Sequence, residues 1–330
     1  MTTFDLEPLE SLTVTVLIDN VTDLLATEKG PVKRLLPGLT SPSTQPSTTL
    51  EGGLAFDTLL AEHGFSALLT FQKGGRTRTL LYDSGVTPNG MVENMRRLDL
   101  SPKDVETVVL SHGHFDHTTG LDGFIQAIGG KANLPVVLHP DFWSKRRILI
   151  PGREPIELPS TSRSALLGAG FEIAEEKQPS FVLDGSLLVT GEVDRTTEFE
   201  QGFPIHQALR GEEWTPDPLI LDDQALIANV RGKGLVILTG CGHAGIVNIV
   251  RYAQKLTGVD EVCAIIGGFH LSGVLFEAII PPTVAALQEI APAHIVPAHC
   301  AGWAAQVALA AAMPDAFVTP AVGTRLELTA

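Results

Sequence analysis

Ser111-His112-Gly113-His114-Phe115-Asp116-His117 puts three of the chain's ten histidines and a carboxylate into six positions. Just before it runs Val105-Glu106-Thr107-Val108-Val109-Leu110, an apolar, β-branched stretch between polar residues that predicts a buried strand. The histidines therefore stand where a strand ends. Side chains two apart in extended chain share a direction, so His112 and His114 can converge on one ion. Asp116 and His117 face another way. As the backbone turns toward the helix expected over residues 118–128, they can reach a second ion close to the first. Imidazole and carboxylate donors suit two divalent metal ions, zinc first, with manganese or iron as alternatives.

His-x-His-x-Asp-His at a strand end resembles the metallo-β-lactamase superfamily. Four further landmarks narrow the resemblance: Asp83 in Leu80-Leu81-Tyr82-Asp83-Ser84-Gly85, Gly240-Cys241-Gly242-His243, Gly267-Gly268-Phe269-His270 and Pro297-Ala298-His299-Cys300. Together they look like the subgroup named after dihydropterin-ribofuranosylaminobenzene phosphate synthase. The resemblance runs from about residue 13 to residue 323 and implies an α/β fold. That fold is an αββα sandwich of two mixed sheets flanked by helices, built as two similar halves. It also implies that the second half supplies a histidine, a bridging aspartate and a last histidine. This chain departs there: Leu238-Thr239-Gly240-Cys241 occupies the place where Thr-Gly-Asp commonly ends a strand, so Cys241 stands where the bridging aspartate would be. Cys241 is either a thiolate ligand or a spectator, and Asp222 and Asp223 are the other candidates for a bridging carboxylate. His243 is expected to complete the first site with His112 and His114, and His299 to join Asp116 and His117 at the second. With cysteine in the bridge, whether one ion binds or two stays open.

Around these ligands, Asp83 ends the strand beside the motif and is expected to hold the outer nitrogen of a ligating histidine, which fixes its tautomer. Asp116 and His270 are the residues expected to take part in catalysis, His270 by donating a hydrogen bond or proton, although core packing explains it as well. His63 is expected to touch substrate. His139, His206 and His294 receive no functional role.

The chain of 330 residues is 44% hydrophobic, enough for a large core, and is expected to form a single domain over 1–330. Its formal net charge of −15, without a run of cations, argues against nucleic acid as a partner. Bound metals would still attract an anionic small molecule. Neither a cationic start with an apolar core nor an apolar run of membrane-spanning length is present, so no membrane association is expected. Cys241, Cys263 and Cys300 are an odd set, which points away from disulfides and toward the cytoplasm. The alanine-rich stretch 301–312 leaves a homo-oligomer open.

Strand patterns at 12–18, 66–71, 79–82 and 105–110, with a helical pattern at 92–98, make the first half. Strands at 219–228, 235–239, 262–266 and 294–297, with helices at 246–256 and 283–290, make the second. Two stretches fit neither: a turn-rich, proline-containing loop at 36–49, and residues 139–218, expected to form an insertion that caps the active site. The insertion carries Arg146 and Arg195, expected to bind substrate; simple covering of the sandwich is the alternative.

Two neighbouring ions can lower the pKa of a water held between them and neutralise charge on the attacked group. The first functional expectation is a metal-dependent hydrolase that uses metal-bound hydroxide on a small, anionic or heterocyclic ester, lactone or phosphoester. The resemblance implies a second: a transferase joining a dihydropterin diphosphate to ribofuranosylaminobenzene phosphate. A non-catalytic, metal-containing ligand sensor is third.

Overall fold

The computed structural model describes residues 3–35 and 43–330. Alternation along the second-half strands explains the layering. In Gly234–Thr239, Val236 and Leu238 join a core cluster between two sheets, while Leu235 and Ile237 join another beneath helices. First-half strands do the same: Leu80 and Tyr82 face inward, and Leu81 packs outward with Met91 and Met95 of the helix Gly90–Arg97. A strand apolar on both faces needs cover on both, so each sheet carries helices on its outer side. Burying each of these large side chains contributes about 1.5–3 kcal/mol.

Among the described residues the first sheet runs Glu172–Glu175, Pro135–Leu138, Thr107–Val109, Arg76–Tyr82, Ser66–Lys73, Ser11–Ile18, Arg325–Thr329, Val32–Lys33. The second runs Ser180–Val182, Leu187–Val189, Leu226–Val230, Gly234–Thr239, Val262–Gly268, His294–Ala298. Both mix parallel and antiparallel pairs. Helices Gly90–Arg97 and Leu121–Ala127 cover the first sheet; Ile246–Thr257, Ile280–Ile290 and Trp303–Ala312 cover the second. This is the αββα sandwich. No helix among the described residues is long and apolar enough to cross a membrane.

Several boundaries differ from the sequence reading. Residues 139–218 are not one continuous cap, because Glu172–Glu175 pairs with Pro135–Leu138 in the first sheet and Leu187–Val189 pairs with Leu226–Val230 in the second. Their short apolar runs are sandwich strands. What remains is a separate four-stranded sheet, Ile156–Leu158, Arg146–Ile148, His206–Arg210, Glu213–Pro216. The strand expected from 219 begins at Leu226, after a turn through Ile220 and Asp223. Of the 36–49 loop, residues 36–42 lie outside the described ones, and Thr44–Pro46 pairs with Leu54–Phe56 as a hairpin.

Asp83, the 111–117 motif, Cys241, His243, His270 and His299 all follow the C-terminal ends of strands, so the loops that carry chemistry gather at one edge of the sandwich.

Candidate metal centre

Extended backbone persists just past Thr107–Val109, and the side chains of His112 and His114 meet, with Nε2 of His112 at 2.9 Å from Nδ1 of His114. That separation suits two nitrogens sharing one ion at about 2.0–2.1 Å. His243, from the turn after Gly234–Thr239, brings a third donor, and one ligand atom from each of the three lies within 4.8 Å of the others. At His114 the chain enters a short 3-10 turn, Phe115–His117, which swings Asp116 and His117 the other way. Asp116, His117, Cys241 and His299 then form a second set, again with donors within 4.8 Å. Asp116 Oδ2 lies 3.3 Å from His299 Nε2 and 3.9 Å from His117 Nε2. The Cys241 sulfur also groups with His243 and His270, so it lies between the two sets.

The outer nitrogens are held from behind. His117 Nδ1 lies 2.7 Å from Asp83 Oδ2, and Asp83 also accepts the Ser111 backbone N–H at 2.7 Å. His112 Nδ1 lies 2.9 Å from Ser111 Oγ, and His299 Nδ1 lies 3.3 Å from Asn20 Oδ1. The His299 backbone N–H donates to Asp19 Oδ1 at 2.8 Å. Each arrangement leaves the other ring nitrogen for an ion. Asp83, His299 and nearby His270 hold unusual backbone, with φ of 55°, 48° and 47°. A non-glycine residue there costs about 1–3 kcal/mol, a strain that gathers at functional sites.

Burial pushes the imidazoles of His112, His114 and His243 well below their ordinary range, and neighbouring positive charge adds to it. They are therefore neutral, the form that ligates metal. His117 goes the other way: burial lowers it, but the Asp83 and Asp116 carboxylates outweigh that and raise it to about 9. Burial also opposes ionisation of Asp116, yet His117 and His299 prevail and hold its carboxyl well below the usual range. Burial pushes the Cys241 thiol up, so a thiolate there requires a cation beside it.

Both ring nitrogens of buried His243, and Nε2 of His299, have no hydrogen-bond partner. Buried polar atoms are rarely left bare. Two neighbouring sets of nitrogen, oxygen and sulfur donors with orphaned nitrogens fit divalent ions of the zinc type.

The structure thus brings together His112, His114, Asp116, His117, Cys241, His243 and His299, with Asp83 behind them. His270 packs beside His243, ring centroids 4.1 Å apart, and its own ring nitrogens are unpartnered. His63 lies beside the second set, its side chain 65% exposed, with Nε2 3.7 Å from Asp116 Oδ2. Four expected residues lie elsewhere. Asp222 cannot bridge two ions, because it pairs with Arg146 at 2.5 Å and accepts the Gly113 N–H at 2.9 Å. Asp223 accepts the Ala244 N–H at 3.0 Å and lies 3.8 Å from His112 Nδ1, behind that ligand. Arg146 is 2% exposed and spent on Asp222, so it does not face a substrate. The Arg195 guanidinium donates to the carbonyls of His243 and Leu219, bracing the loop that carries a ligand.

Sequence reasoning missed Asp19, Asn20, His206 and Phe203. Asp19-Asn20 directly follows the first strand, a signal that was available; His206 and Phe203 lie in the irregular 139–218 stretch, where no periodicity marks them. The Phe203 ring lies 5.1 Å from that of His270 and nearly parallel to that of His243.

A family model described as the metallo-beta-lactamase superfamily matches residues 62–252. The chain is 29% identical over 254 residues to the 7,8-dihydropterin-6-methyl-4-(beta-D-ribofuranosyl)-aminobenzene-5'-phosphate synthase of Methanocaldococcus jannaschii, covering 74% of this chain and 83% of that one. It is 34% identical over 223 residues to an uncharacterized protein of the same organism, covering 67% of this chain and 77% of that one. Among solved structures, Tm1679, described as a metal-dependent hydrolase of the beta-lactamase superfamily, superposes with a TM-score of 0.67 at 21% identity, over 97% of this chain and 100% of that one.

Proposed function

The chain belongs to the metallo-beta-lactamase superfamily, and we propose that it is a metal-dependent hydrolase of a small, anionic or heterocyclic ester, lactone or phosphoester. The observation that carries this reading is the pair of donor sets, His112/His114/His243 and Asp116/His117/His299, with the Cys241 sulfur between them. Divalent ions held there would supply Lewis acidity, polarising a substrate oxygen and making water a competent nucleophile near neutral pH.

The chain's own groups do the rest. Asp83 and Ser111 keep His117 and His112 turned toward the centre. His63 lies beside Asp116 of the second set and His270 beside His243 of the first. His270, bare at both nitrogens and packed against the Phe203 ring, would be the group that protonates a leaving group. Three buried, unpaired cysteines suit a reducing compartment, and we place the activity in the cytoplasm, on a small-molecule substrate without nucleic acid or membrane.

A second reading draws on the synthase relative: we would then expect a transferase that joins a dihydropterin diphosphate to ribofuranosylaminobenzene phosphate, with diphosphate as the leaving group. Zinc-loaded protein incubated with single phosphodiesters, lactones and esters separates the two. Chelator-sensitive turnover of one substrate with water supports the hydrolase. Diphosphate release that requires both synthase substrates would replace it with the transferase, and binding without turnover would replace both with a sensor.

A further inference from the structure

His206 is fully buried, belongs to the small sheet outside the sandwich, and reaches the centre from behind the first donor set. Its Nε2 lies 3.0 Å from Nε2 of His114, and its Nδ1 lies 2.9 Å from the carbonyl oxygen of Asp217. A carbonyl only accepts, and Asp217 Oδ2 lies 3.4 Å from the same nitrogen, so His206 carries a proton on Nδ1. When His114 ligates through Nδ1, its proton is on Nε2 and donates to the lone pair at Nε2 of His206. That leaves Nδ1 of His114 as the bare nitrogen, and Nδ1 is the atom 2.9 Å from Nε2 of His112, facing the centre.

The same sheet grips the motif a second time. The strand Arg146–Ile148 pairs with His206–Arg210, Ala208 opposite Arg146. Arg146 fixes Asp222, which accepts the N–H of Gly113, the residue between the two ligands. A Cβ on Gly113 would collide with the Phe142 carbonyl and come within 2.6 Å of Arg146 Nη1, so the contact requires glycine.

We propose that the small sheet is a clamp on the first metal site and that His206 is a positioning residue that sets the tautomer of His114 through the Asp217 carbonyl. An outer partner of a ligating histidine is worth about 10–100-fold in metal affinity. The carbonyl–His206–His114 chain fills that role from a segment outside the sandwich.

The inference rests on the metal-centre reading, and the test separates the two. Zinc affinity is measured by chelator competition on wild type, His206→Leu and His206→Gln, with metal-free melting temperature as the check of folding. His206→Leu removes the acceptor and should weaken one ion by about 10–100-fold. The Gln carbonyl can accept from His114 near the same place and should restore most of the loss. Unchanged affinity in His206→Leu, or no recovery in His206→Gln, overturns the clamp alone, whereas a wild type that binds no zinc overturns the centre and the clamp together. If His206→Leu fails to fold, nitrogen-15 spectra of zinc-loaded wild type decide: His114 protonated on Nε2 is expected, and His114 protonated on Nδ1 overturns the proposal.

Discussion

Nε2 of His117 lies 3.3 Å from the sulfur of Cys241, although the two residues come from different halves of the sandwich. The contact joins the motif loop to the loop after Gly234–Thr239, and it puts a thiol where a carboxylate was expected from the resemblance. A sulfur in that place is a softer donor than oxygen and favours zinc over magnesium or calcium.

Cys241→Ala should therefore lower bound zinc from two ions per chain toward one, as read by elemental analysis, and Cys241→Asp should restore the second. Two ions in Cys241→Ala would return the sulfur to simple packing.

Metal uptake should release a proton near neutral pH. His117 is raised from 6.5 to about 9, so its charged form stabilises the metal-free fold fully below 6.5, and that contribution is lost as pH rises through 9. An ion needs the bare nitrogen and must displace that proton. Affinity at the second set should then climb by about tenfold per pH unit across that window, with about one proton released per ion. Calorimetry in buffers of different ionisation heat reads the release. An uptake that frees no proton would contradict the charged His117.

Arg146→Ala should act on stability and leave KM untouched. It strands the Asp222 carboxylate, which is fully buried, and breaking such a pair costs about 3–5 kcal/mol. Denaturant melts measure the loss. A raised KM with unchanged stability would put Arg146 back against the substrate.

The motif could be read because a strand followed by closely spaced ligands obeys local rules: period two for His112 and His114, then a turn for Asp116 and His117. The sandwich was legible from strands such as Gly234–Thr239 whose apolar alternation serves two cores. Long-range partnership was not. Nothing local tells that Asp222 closes on Arg146 instead of an ion, or that His206 lies against His114, because each pair is made by the small sheet folding back across the sandwich edge. The 139–218 boundary failed for the same reason, its short strands being divided among three sheets.

His270→Ala should keep its metal and lose turnover. Its ring nitrogens are unpartnered and beside His243, so as a proton donor it is worth about 10²–10⁴-fold in kcat. A drop in metal content would make it a ligand instead.

Two donor sets at this edge of the sandwich, the first of them His112, His114 and His243, call for two ions. The most direct test is elemental analysis of freshly purified wild type beside His114→Ala. Two divalent ions per chain are expected in the wild type, and one fewer in the variant, with activity lost. Equal metal content in the two proteins, or none in either, would contradict it.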